Sequence, residues 1–180
     1  SGTDYATYFD GAQFIHFLLG PATVALALPL WEHRATVAKS ALPMLAALVA
    51  GSVTAAVSAL AVAWAFGASD GVLVAIAPKS VTAGVAMSIT ESSGGDPALT
   101  AVLVILTGMI GALVVTPLMN GLGIRDYRAR GFAVGLASHG IGTARAFQVD
   151  PVAGTFAGIA IGLNAVMTAL IVPVLLGVMR

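Results

Sequence analysis

The sequence predicts an all-α polytopic integral membrane protein, and three observations carry that prediction. First, 58% of the 180 residues are hydrophobic and only 9% are charged, against about 25% charged in a soluble domain. Eight basic and eight acidic side chains cannot cover a water-facing surface. They also provide no cationic field for nucleic acid. Second, the apolar residues gather in runs near the roughly 20 needed to span a bilayer. Third, aromatics are sparse at 7% and no strand-like alternation recurs, which disfavours a β-barrel. With no Cys, disulfides and thiolate metal sites are excluded.

In chain order, the opening SGTDYATYFDG lacks Met and a basic stretch. It reads as the continuation of a longer precursor, with Tyr5 and Tyr8 suited to headgroup level. Residues 12–31 form a first apolar run, interrupted at Gly20-Pro21, and residues 32–39 form a polar loop with Arg34 and Lys39. Residues 40–66 are uninterrupted, about 40 Å at helical rise, so a tilted span is expected. The loop GASD follows. Residues 71–90 are apolar but broken at Pro78-Lys79-Ser80, and ESSGGD (91–96) is polar. Residues 97–120 read as a clean span. The segment 121–130 carries Arg125, Arg128 and Arg130. Residues 131–149 are broken at Ser138-His139-Gly140, and 152–179 is a final span.

The second half of the chain copies itself. GVLVAIAPKSVTAGVAMSI (71–89) aligns with GFAVGLASHGIGTARAFQV (131–149), and DPALTAVLVILTG (96–108) with DPVAGTFAGIAIG (150–162). Each unit is a broken segment followed by an intact span that starts at Asp-Pro, a helix cap followed by proline at the first helical position. The organisation expected is one transmembrane domain over 1–180, with N-terminal helices in 1–66 and repeat units in 67–120 and 121–180.

Charge decides how the broken segments run. Positive loops share the cytoplasmic side, and 32–39 and 121–130 do so only if neither broken segment crosses fully. Two re-entrant helical hairpins entering from opposite faces are therefore expected, the second repeat unit inverted relative to the first. A fully crossing broken helix is the competing geometry.

Non-helical backbone survives at membrane depth only where protein or water satisfies it. Two facing breaks therefore mark a polar cavity at the midplane, as in transporters with inverted repeats. The second limb of each hairpin begins at its tip, so its N–H groups point at the cavity and favour an anion. Ser80 and Thr82 stand at the first tip, and Ser138, Gly140, Gly142 and Thr143 at the second. Lys79 and His139 supply charge, with Arg145 about one and a half turns further on. The ligand read from these residues is a small anion with hydrogen-bonding groups. Each charged residue also has a structural role open to it. Lys79 could reach an interface, His139 could bond a carbonyl, and Arg145 could pair with Asp150 or Glu91. Thr23, His16 and Asn164 are weaker candidates. There is no phosphate-binding loop, the three His are too scattered for a metal site, and no activated nucleophile or cofactor signature points to an enzyme.

GPATVALALPLW (20–31), APKSVTAGVAMSI (77–89), GGDPALTAVLVILTGMIGA (94–112) and ARGFAVGLASHGIGTARAF (129–147) resemble the LrgB/CidB family. That family includes the C-terminal domain of the plant plastidial glycolate/glycerate translocator. Members usually carry about two further hydrophobic segments upstream. The resemblance implies either of two functions. One is secondary transport of small monocarboxylates (glycolate, glycerate, pyruvate-like acids) by alternating access. The other is antiholin-like regulation of murein hydrolase export and autolysis, with a small LrgA/CidA-type membrane partner. It also implies a bacterial cell membrane in preference to a plastid envelope. Six short segments bury little surface, so a homodimer in the lipid bilayer is expected.

Overall fold

The computed structural model describes residues 31–179 continuously, together with positions 7, 10, 11, 13, 14 and 17. The expectations for Tyr5, Tyr8, His16, Gly20-Pro21 and Thr23 lie outside the described residues. From Arg34 onward every element is a helix: α1 (Arg34–Lys39), α2 (Ala41–Ala65), α3 (Asp70–Ile76), α4 (Ala83–Ser92), α5 (Pro97–Gly121), α6 (Tyr127–Val149) and α7 (Pro151–Met179). Three of them, α2, α5 and α7, are long and apolar enough to cross a membrane. The segment read as a polar loop at 32–39 contains α1. Arg, Ala and Lys favour helix, and Arg34 is anchored by stacking 4.6 Å from the Trp31 ring.

Each long helix buries a stripe spaced by four residues. On α2 the stripe is Met44, Leu48, Ser52, Ala56 and Leu60, while Leu45, Val49, Val53 and Val57 are exposed. On α7 it runs Phe156, Ala160, Asn164, Thr168, Val172 and Leu176. Lipid tails are as apolar as leucine, so what selects the packed face is close approach of small groups and internal hydrogen bonding.

Both Asp-Pro starts are capped as the repeat predicts. Asp96 accepts from the Ala98 N–H at 2.8 Å, and Asp150 accepts from Val152 at 2.8 Å and Ala153 at 3.2 Å.

Both broken segments are hairpins. In α6 the helix leaves helical geometry at Ser138 (φ −133°, ψ 15°) and His139 (φ 42°, ψ −137°). A Cβ placed on Gly142 would stand 3.1 Å from the Val134 carbonyl oxygen and 2.6 Å from the Ser138 Cβ. Along a straight helix, residues eight apart are about 12 Å apart, so the second limb must fold back on the first. The first limb then runs beside the start of α7: a side chain on Gly131 or Gly135 would strike the Ala153 or Ala157 carbonyl. The earlier hairpin is α3, the turn 77–82 and α4. It closes where Gly95 fits between Val74 and Thr90.

The hairpins enter from opposite ends of the bundle. Ala56 and Leu60 of α2, with Val172 and Leu176 of α7, cluster with Leu73, Val74 and Ile89 of the first hairpin. Met44 and Leu48, at the other end of α2, cluster with Phe132 and Leu136 of the second hairpin and with Phe156 and Ala160 at the start of α7. Thus α2 and α7 run parallel, with one hairpin packed at each end.

Candidate functional site

The two tips meet about halfway along α2, α5 and α7, and the residue that joins them is Asn164. Its side chain is 1% exposed. The amide N–H₂ donates to the Leu136 carbonyl at 2.9 Å and to the Ser80 carbonyl at 3.4 Å. Its oxygen accepts from Ser52 Oγ at 2.7 Å and Thr168 Oγ1 at 3.2 Å. One side chain therefore ties both hairpin tips to α2 and α7. The reason is chemical. Breaking a helix leaves carbonyls without their N–H partners, and in an apolar environment each needs a donor. Among the described residues no buried side-chain N or O lacks a partner.

This arrangement corrects the expectation of a polar cavity between the tips, because there the tips are in contact through the amide. Among the described residues, two clefts lie along α2 instead. One of about 860 Å³ is lined by residues including Lys39, Gly51, Asp126 and Leu136. Another, of about 730 Å³, is lined by residues including Trp64, Asp70 and Leu73.

The first tip holds three of the expected residues together. Lys79 is half-buried, with Nζ 3.4 Å from Ser80 Oγ. Ser80 is buried, and Thr82 is partly exposed at the N-cap of α4. The α4 ladder starts with Ala86 N–H donating to the Thr82 carbonyl. The Thr82 hydroxyl makes no capping bond, so the first-turn N–H groups receive none from it.

The second tip is packed more tightly. His139 is 5% exposed, and its Nε2 is 2.8 Å from the Val104 carbonyl. A carbonyl only accepts, so Nε2 carries the proton in that bond. The tip lies against α5 at two glycines: a Cβ on Gly108 would stand 2.6 Å from the His139 ring, and one on Gly111 would collide with Ser138 Oγ. The positive φ of His139 is a conformation that side chains resist. The surrounding contacts hold it there.

Not every predicted residue faces ligand space. Gly140 is exposed, with open space beside it, whereas the others are engaged within the protein. Gly142 is buried against Val134 and Ser138, so its missing side chain lets the limbs approach each other. Thr143 donates its hydroxyl to the His139 carbonyl at 2.9 Å, and Ser138 is buried at the α5 contact. Arg145 does not join the tip. It lies beside Thr116, Tyr127 and Arg130 near the hairpin base, 3.4 Å from the Gln148 side-chain oxygen. Asp150 caps α7, and the Glu91 side chain is exposed.

Two features were underweighted by sequence reasoning. Asn164 is an amide in the middle of a long apolar run, and such a residue is costly in a membrane unless it is bonded. Gly108 and Gly111 are a small-residue pair within a span, the usual mark of close backbone approach.

Outside the bundle core, Arg128 forms a two-oxygen ion pair with Asp126, the shortest contact 2.6 Å. That bond holds the Asp126 carboxyl below its ordinary range. Arg130 donates to the Ile124 carbonyl at 2.5 Å and to Asn120 at 2.6 Å. The arginine cluster thus also fastens the loop before α6.

Comparison with known proteins identifies the family. The profile of the LrgB-like family matches residues 1–178. YwbG of Bacillus subtilis is 35% identical over 97% of this chain and 78% of its own length. YxaC of the same organism is 36% identical over 91% of this chain and 71% of its own. The holin-like protein CidB of Staphylococcus epidermidis is 31% identical over 97% of this chain and 76% of its own. No solved structure matches. Whole-length agreement with the profile, three apolar spans and the quoted motifs lead to one conclusion: this chain is a membrane protein that belongs to the LrgB family.

Proposed function

We propose that the protein is a secondary transporter of small monocarboxylates of the glycolate, glycerate and pyruvate kind, working by alternating access in a bacterial cell membrane. The observation that carries this reading is the meeting of two opposed hairpin tips at mid-depth, with Lys79 at one and His139 at the other. A cation at mid-depth is expensive in a membrane even when half-buried, and a purely architectural contact has no need of one. Lys79, the Ser80 and Thr82 hydroxyls and the first-turn N–H groups of α4 would receive a carboxylate. Gly140 and the N-terminal end of the second limb of α6 would face it from the other hairpin. The Ser52–Asn164 bond ties the tips to α2, and motion of the hairpins against α2 would have to release it.

The test is uptake of labelled glycolate and pyruvate into liposomes carrying the protein. Saturable uptake that falls at least tenfold in Lys79→Ala supports the reading. Uptake unchanged in both Lys79→Ala and His139→Ala removes it.

A second reading is favoured by the names of the CidB relatives: a holin-like membrane component, which the family resemblance extends to antiholin-like regulation of murein hydrolase export with a small membrane partner. On those names it is the better supported of the two, whereas the charged tips favour transport. It predicts leak of unrelated dyes and sugars, or lysis phenotypes that need the partner, without saturable carboxylate uptake. The same liposomes, loaded with a dye, separate the two. Oligomeric state bears on both, and a homodimer is the assembly proposed here.

A further inference from the structure

The Asn164 centre gathers five oxygens, and none belongs to a carboxylate. They are the Ser80 and Leu136 carbonyls, Ser52 Oγ, Thr168 Oγ1 and Asn164 Oδ1. Their chemistry differs in one respect. The two hydroxyls can donate or accept by rotating, whereas the two main-chain carbonyls can only accept. The amide orientation is therefore set by the carbonyls, which take its N–H₂ group. If the amide reversed, the N–H₂ would donate to Ser52 and Thr168 and lose nothing there. On the other side Oδ1 would face two carbonyl oxygens. Three oxygens in contact repel unless a cation lies among them.

The surroundings favour a cation. The Leu136 carbonyl lies at the C-terminal end of the first limb of α6, where the break at Ser138-His139 ends the helix and the helix dipole is negative. The Ser80 carbonyl belongs to the turn of the first hairpin. Carbonyls released from the helical ladder where a helix is interrupted are groups that coordinate Na⁺ in membrane proteins. The absence of a carboxylate from this set of ligands selects a monovalent ion, since divalent ions take charged ligands or keep their water.

We propose that the Asn164 centre is a Na⁺ site, filled when the Asn164 amide reverses so that its oxygen joins the Ser80 and Leu136 carbonyls around the ion. Filling it replaces an N–H₂ bridge between the tips with an ion bridge, so both hairpins register its occupancy. The ammonium of Lys79, one residue from Ser80, opposes the ion until an anion neutralises it. Anion and cation then favour each other's binding by the same factor in both directions. This coupling rests on the carboxylate reading above; the cation site itself does not.

The test is thermal unfolding of the purified full chain in detergent, in NaCl and in choline chloride of equal ionic strength. Near tenfold above the dissociation constant, Na⁺ should raise the midpoint by about 3–5 °C over choline. Asn164→Leu should abolish the difference. Asn164→Asp keeps the shape but at pH 8 offers the carbonyls no N–H, so its Na⁺ shift should exceed that of the wild type. Lys79→Gln should keep or enlarge the shift while losing carboxylate uptake, which separates failure of this site from failure of the transport reading. The proposal is overturned if wild type melts alike in Na⁺ and choline, or if the shift survives Asn164→Leu. Should Asn164→Leu not fold, an Asn164→Asp shift no larger than the wild type's overturns it instead.

Discussion

The two hairpins descend from one repeated pattern yet are built by different means. The first is fastened by hydroxyls. Thr100 on α5, fully buried, lies 2.8 Å from Thr90 Oγ1 and 3.2 Å from the Ala75 carbonyl, so one side chain bridges both limbs. The second is fastened by missing side chains. Gly131 and Gly135 sit against α7 carbonyls, Gly142 against the first limb, and Gly108 and Gly111 of α5 against the tip. The tips differ accordingly. Lys79 and Thr82 are partly exposed, whereas Ser138 and His139 are buried. A tip held by backbone contact has little freedom, and a tip with an accessible cation can receive an anion. On the transport proposal, ligand contact would fall mainly to the first hairpin, while the close backbone contacts make the second the more rigid.

The largest expected effect tests the rigid side. Gly135→Leu drives a side chain into the Ala157 carbonyl, and overpacking of a close contact costs about 1–3 kcal/mol or more. Here the obstacle is backbone, so the variant should aggregate on size-exclusion chromatography. Leu at Gly84, where open space lies beside the first hairpin, should leave the elution profile unchanged. Equal behaviour of the two would erase the distinction. The next effect concerns the tips. Lys79→Ala should abolish uptake with little change in melting temperature, while His139→Ala should lower the melting temperature as well, because it removes the Val104 bond and a ring packed on Gly108. A drop in stability for Lys79→Ala as large as for His139→Ala would reverse the assignment.

Thr100→Val keeps the shape and deletes the hydroxyl. It should destabilise the protein by about 1–2 kcal/mol, the cost of leaving buried polar groups short of a partner. The measurement is denaturant unfolding, and proteolysis at 93–95 should rise before cleavage at 122–126. The smallest effect lies at the base of the second hairpin. Asp126, held below its ordinary range mainly by the Arg128 side chain, stabilises that loop above the unfolded carboxylate pKa. Its contribution is lost as pH falls through the lower folded value. The pair is exposed and screened, so Asp126→Asn should change acid stability only slightly, and the change should vanish in high salt.

Much of this architecture is legible in local sequence because its causes are local. Pro78 and the polar residues around both breaks cannot continue an apolar helix comfortably, and Asp96-Pro97 and Asp150-Pro151 start helices through bonds spanning two or three residues. The charged loops then fix the hairpin topology. The site was less legible. Lys79, Ser80, Thr82 and Gly140 are at the tips as their positions imply, but Gly142 and Thr143 serve the hairpin itself. Arg145 follows the second limb away from the tip, since each helical residue adds about 1.5 Å.

The sequence by itself determined the membrane class, the spans at 40–66, 97–120 and 152–179, the two breaks and the caps, because composition, run length and short-range hydrogen bonding decide each of these; the apolar run 12–31 falls largely outside the described residues. Only the tertiary structure decided where the tips meet. Asn164 bonds Leu136 across 28 residues and Ser80 across 84, and its amide is chosen by carbonyls that no local pattern brings together. Gly108 and Gly111 likewise matter for what the second hairpin presses against them. The physical reason is the same in both cases. In a bilayer a broken backbone must find its partners inside the protein, and only the packed arrangement of helices decides which residue provides them.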